Sequence, residues 1–178
     1  MKLAAIDIGT NSIHIVIVEA TGRGGFEVID RQKRMVKLGA GLWTTQRISD
    51  RAVNDGLEVI RRYYKLAESR GVDEILAVAT SASREAENGS EFLEAIFRET
   101  GLTPRVISGM EEARLIFLAA RHAVDLGTTR SCVIDIGGGS VEIAVGDAET
   151  VLLSQSLRLG VQRLLDRVGN TGPISDRQ

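Results

Sequence analysis

Two short polar segments, each with an acid at its mouth, hold most of the chemistry this chain could do. The first is Asp7-Ile8-Gly9-Thr10-Asn11-Ser12; the second, at an offset of 128 residues, is Asp135-Ile136-Gly137-Gly138-Gly139-Ser140. The aspartate, isoleucine, glycine and serine recur at the same spacing, and the match continues to Ile15 and Ile143. Each copy follows an apolar run, Leu3–Ile6 or Cys132–Ile134, and leads into an alternating one. Each therefore reads as a β-hairpin with a small polar turn. Backbone N–H groups in such turns can face an anion. Two of them, from related halves, suggest a phosphate chain gripped by two loops. Three consecutive glycines let the second loop approach a ligand closely and take positive φ. Magnesium at phosphoryl groups uses one or two carboxylates plus phosphate oxygens and water. Asp7 and Asp135 suit that role, although each could instead accept N–H bonds from its own turn.

Further along, Ile107-Ser108-Gly109-Met110-Glu111-Glu112-Ala113-Arg114 starts a helix. With Ser108 as N-cap, Glu111 falls at the third helical position and completes a capping box. Glu112, about 100° further round the helix, has no part in that box. The helix dipole favours its ionised form in the first turn, as a base for water. Two solvated first-turn acids are the plainer reading. Ser81-Ala82-Ser83-Arg84 follows a strand end, where small residues leave room and Arg84 could bind phosphate oxygens. Glu142, two residues after Ser140, could reach a metal or fix its loop; His14 is its counterpart. Arg31, Lys33, Arg34 and Lys37 read as a solvated edge strand. Cys132 reads as a small buried apolar residue.

These groups need strands at 2–8, 13–20 and 25–37 and a loop over 38–48. A helix capped by Ser49 follows, with Val53, Leu57, Ile60, Tyr64 and Ala67 on one face, ending at Gly71. Then come a strand at 74–79, a helix begun by Asn88 with Leu93, Ile96 and Phe97 inward, and a strand at 105–107. The helix from Ser108 runs to about Ala123. That order is β-β-β-α-β-α-β-α. Beyond Asp125 lie strands at 131–136, 141–146 and 150–157 and a short helix at 160–168. The predicted domains are 1–124 and an incomplete second one, 125–178, with the second loop. The 178 residues are 43% apolar with net charge −2, which excludes a global basic field for DNA. A single cysteine fits a reducing compartment. No run approaches a membrane span or a signal-peptide core. The chain reads as cytoplasmic.

Taken together, the two loops, Ser81–Arg84 and Ser108–Arg114 closely resemble the exopolyphosphatase / guanosine pentaphosphate phosphohydrolase family. That family belongs to the actin, sugar-kinase and heat-shock ATPase superfamily. The Ser-Gly-x-Glu-Glu-Ala-Arg segment carries the most specific part of the likeness. The resemblance implies an α/β, ribonuclease H-like (actin-like ATPase) domain plus the start of a second, related one. It implies hydrolysis of the terminal phosphate of inorganic polyphosphate or of guanosine penta- or tetraphosphate, the latter in the stringent response. It implies Mg2+, or another divalent cation, at Asp135, Glu142 and Asp7, with Glu112 as base and Arg84 on phosphate. Phosphate contacts fall to Gly9, Thr10, Asn11, Ser12, Gly137, Gly138, Gly139 and Ser140. Family members continue well past this chain's last residue, so a non-catalytic phosphate- or nucleotide-binding fragment is the alternative. An unfinished second sheet, with only Val161, Leu164, Leu165 and Val168 as a lid, predicts self-association, a homodimer among its forms.

Overall fold

The computed structural model describes residues 1–22, 25–126 and 129–169. They form two compact units, Met1–Val106 and Ile107–Gln178. In the first, β1 (Lys2–Ile8), β2 (Ser12–Thr21) and β3 (Gly25–Met35) make an antiparallel meander. β4 (Glu74–Ala79) and β5 (Arg105–Val106) extend the sheet in parallel beside β1, giving the order β3-β2-β1-β4-β5. Alternation along β1 and β2 turns Ile6, Ile8, Ile13, Ile15 and Ile17 to one face, where all are buried. Four helices belong to this unit: α1 (Leu42–Thr45), α2 (Asp50–Ser69), α3 (Ser81–Glu85) and α4 (Gly89–Thr100). Leu57, Ile60 and Tyr63 of α2, with Phe92 and Ile96 of α4, share the core with those isoleucines.

Three local readings change. The stretch 38–48 is not all loop, since it holds α1. On α2, Tyr63 rather than Tyr64 turns inward, because its hydroxyl donates to the Ile13 carbonyl at 3.2 Å. Asn88 makes no side-chain cap for α4. Its amide instead clamps Ile48, accepting from the N–H and donating to the C=O, both at 2.9 Å. α4 is accordingly turned so that Phe92 and Ile96 face the core while Phe97 is exposed.

The second unit contains α5 (Gly109–Ala123), β6 (Ser131–Ile136), β7 (Val141–Gly146), β8 (Val151–Leu157) and α6 (Val161–Val168). Its three strands are antiparallel in chain order. α5 lies on this sheet, with Ala113 and Phe117 packed against Ala144. For that reason the compact units divide after Val106, ahead of α5, whereas the sequence places the boundary after residue 124. α6 is no lid: it buries no side chain, and Val161, Leu164 and Leu165 are exposed. Cys132 is exposed too, because strand alternation sets it on the face away from α5. The boundary stretch 125–129 lies partly outside the described residues.

Candidate active site

The two loops are the same construction. Gly9 donates its N–H to Ser12 O at 3.1 Å, and Gly137 donates to Ser140 O at 3.0 Å. A Cβ on either glycine would press on that same carbonyl, at 2.9 and 3.0 Å. The carbonyls of the turn are pinned from behind. In the first loop, Thr10 O accepts from Gly39 N, and Asn11 O from both Val36 N and Lys37 N, each at 2.9 Å. In the second, Gly137 O accepts from Val161 N at 3.0 Å, and Gly138 O from Gln162 N at 2.8 Å. Gly139 O accepts from the Arg163 guanidinium at 2.7 Å. So the N-terminal N–H groups of α6 are spent on the loop. In a trans peptide the next N–H points opposite to the C=O. Pinning three carbonyls toward α6 therefore turns the N–H groups of Gly138, Gly139 and Ser140 the other way. None of the three has a partner among the described residues. A run of N–H groups aimed to one side is an anion site.

The glycine triplet takes no positive φ, against the sequence reading; among described glycines such values belong to Gly41, Gly71, Gly101 and Gly169. Gly160, just before α6, sits so close to the backbone of Gly138 and Gly139 that no Cβ fits there. Gly160 and Arg163 thus support the loop, and nothing in their spacing announced it.

Each loop-mouth aspartate has a titratable partner across its hairpin. Asp7 faces His14 in register, and Asp135 faces Glu142. Glu142 is buried and its Oε1 accepts from Ser156 Oγ at 2.7 Å, while Oε2 lies toward Gly137. Two neighbouring carboxylates beside aimed N–H groups fit a hard divalent cation that also takes phosphate oxygens and water. No cluster of three or more His, Cys, Asp or Glu occurs among the described residues, so most of such a cation's ligands would come from elsewhere. Asp7 is exposed. His14 Nε2 lies 2.8 Å from Ser12 Oγ. Burial, then the charge of Lys33, holds His14 below its ordinary pKa.

Ser108 caps α5 as expected, accepting from Glu111 N at 3.1 Å. Glu112 follows in the first turn, half-buried, in the same unit as Asp135 and Glu142. Arg84 belongs to the first unit. Its helix α3 leaves the end of β4, where Thr80 N donates to Ile8 O at 3.2 Å, so it stands at the same end of the sheet as the first loop. Asn11 Oδ1 and Ser83 Oγ are buried there without a protein partner. Buried polar atoms in that condition call for a ligand or solvent.

The profile of the Ppx/GppA phosphatase family matches residues 16–178. The chain belongs to that family. It is 34% identical over 164 residues to Exopolyphosphatase 1 of Mycobacterium tuberculosis, covering 92% of this chain and 48% of that protein. The crystal structure of an exopolyphosphatase from Cytophaga hutchinsonii superposes with a TM-score of 0.94 at 31% identity, over 99% of this chain and 56% of that one. The Aquifex aeolicus family member gives 0.81 at 32% identity, over 99% and 57%. The chain thus spans about half the length of these relatives. An ethanolamine utilization protein, EutJ, from Carboxydothermus hydrogenoformans shares the fold at a TM-score of 0.52 and 17% identity. The α/β, actin-like ATPase fold class expected from the loops is the one found. No described helix is long and apolar enough to cross a membrane.

Proposed function

We propose that this Ppx/GppA chain carries the phosphate-holding and water-activating residues of a phosphohydrolase acting on terminal phosphates. The substrate class is inorganic polyphosphate or guanosine pentaphosphate, met in the cytoplasm. The observation that carries the proposal is the carbonyl-pinned turn, built twice, with unpartnered N–H groups aimed away from the pins in the second loop. The residues of Gly137–Ser140 and Gly9–Ser12 bind phosphate oxygens, and Arg84 adds a guanidinium to them. Asp135 and Glu142 would hold Mg2+, which would neutralise charge on the phosphate. Glu112 takes the proton from the attacking water. It stands in the first turn of α5, where the helix dipole makes a carboxylate favourable.

The test is phosphate release from polyphosphate and from guanosine pentaphosphate by Glu112→Gln and Glu111→Gln. Loss of a general base costs about 10²–10⁴-fold in rate. Glu111→Gln is expected to keep activity and lose at most about 1 kcal/mol of stability. The reverse pattern would overturn the assignment of the base. Because the chain spans half of its relatives, binding of either ligand without turnover would favour the non-catalytic alternative.

A further inference from the structure

Across the second sheet, Asp135 of β6, Glu142 of β7 and Ser156 of β8 stand in one row, since Glu142 is the register partner of both neighbours. Residues directly opposite one another share a face of the sheet, here the one that α5 covers. Asp135 is exposed and Ser156 half-buried, but the carboxylate between them is enclosed, at 2% exposure. Its two oxygens are treated differently. Oε1 accepts from Ser156 Oγ at 2.7 Å, within the range of a hydroxyl donating to a carboxylate. That is the only hydrogen bond of the Glu142 side chain among the described residues. Oε2 has none, and it lies toward Gly137, where the second loop begins. An enclosed carboxylate with one oxygen anchored and the other aimed at a loop mouth calls for a ligand there. The proposed reaction makes no use of the serine hydroxyl itself.

We infer that Ser156 is a positioning residue for the second loop's cation site. Its hydroxyl anchors Oε1, so that Oε2 faces the loop mouth beside Asp135, where a hard divalent cation binds. The inference rests on the cation reading of Asp135 and Glu142. Ser156 touches neither cation nor phosphate and acts through Glu142 alone. Partners that hydrogen-bond a ligating carboxylate typically change metal affinity by about 10–100-fold when removed.

Mn2+, which suits carboxylate and water ligands, is the probe. Its binding to the 178-residue chain, without substrate, is followed by electron paramagnetic resonance, and hydrogen exchange over β6–β8 reports whether the sheet stays closed. Ser156→Ala should bind Mn2+ about tenfold more weakly than wild type. Its sheet should stay protected. Ser156→Thr keeps the hydroxyl, suits a strand and should restore the affinity. In a Glu142→Gln background, Ser156→Ala should add no further loss, because residues that act as one unit are not additive. Unchanged affinity in Ser156→Ala overturns the role. So does an equal loss in Ser156→Thr, which would mean strand packing, or a further loss on top of Glu142→Gln, which would mean a separate effect. Loss of protection across the sheet in Ser156→Ala would make the serine merely structural, and overturns the role too. Wild-type chain that binds no Mn2+, or Glu142→Gln that binds it as wild type does, removes the cation reading of the site. Binding weakened by Glu142→Gln but not by Ser156→Ala removes only the positioning role.

Discussion

The hairpins β1–β2 and β6–β7 share register and turn, yet each unit buries the opposite face of its copy. In the first, the face of Ile6, Ile8, Ile13, Ile15 and Ile17 lies in the main core, and the face of Asp7 and His14 carries the more open side chains. In the second, α5 covers the face of Glu142 and Ala144. The positions equivalent to Ile6 and Ile8 are Ile134 and Ile136, which stay 60% and 67% exposed. The same strand pattern thus fixes register and turn but not coverage, which depends on the helices available to pack. It also gives the partners of the two exposed aspartates different settings: Glu142 is enclosed, whereas His14 is half-buried.

The largest effect should come from putting a charge on equivalent positions. Ile6→Asp buries an unpaired carboxylate in the main core and should unfold the first unit, whose whole stability is on the order of 5–15 kcal/mol. Ile134→Asp meets water and should be tolerated, and any self-association through the apolar face, measured by light scattering, should be lower than in wild type. Denaturation followed by circular dichroism compares the two. Equal losses would mean that the second face is covered in solution.

A smaller effect separates the two sets of pins. Gly160→Ala forces a methyl group onto the backbone of Gly138 and Gly139, which cannot move without breaking the turn. Gly39→Ala meets chiefly side-chain atoms of Thr10 and Trp43, which can rotate. The first should cost over tenfold in pyrophosphate affinity by calorimetry, about 1.4 kcal/mol or more, and the second clearly less. Equal affinities in wild type and Gly160→Ala would show that α6 does not shape the second loop. Arg163→Met, which removes the guanidinium from Gly139 O, should fall between them.

Much of this was legible in the sequence because it depends on local chemistry. Strand alternation, the turn glycines Gly9 and Gly137, and the Ser108 cap all act within a few residues. What was hidden depends on partners far along the chain. Tyr63 wins over Tyr64 because a carbonyl at residue 13 receives its hydroxyl. Asn88 leaves its helix to clamp Ile48, 40 residues away. Helix α5 looks like the end of one domain until Phe117 is seen against the second sheet. Gly160 and Arg163 have no motif, and only the folded loop shows what they hold.

The smallest expected effect tests the residues that face the two loop-mouth acids, which differ in kind: His14 in the first, Glu142 in the second. Burial and Lys33 make the folded state hold a proton on His14 less firmly than the unfolded chain does, whose histidine titrates near 6.5. Below that pH the unfolded chain therefore binds more protons, and stability falls as pH falls. The contribution is complete above about pH 6.5 and is lost as pH drops through the lower folded value. His14 is only half-buried, so solvent screens the effect and a shift of no more than a few degrees in Tm is expected. His14→Gln keeps a polar partner for Ser12 and has nothing to titrate. Its melting temperature should fall less between pH 7 and pH 5.5 than that of wild type, whereas replacing the exposed His122 should change little. A wild-type slope retained in His14→Gln would show that the first loop does not feel the proton. The pH dependence would then have to come from groups other than His14.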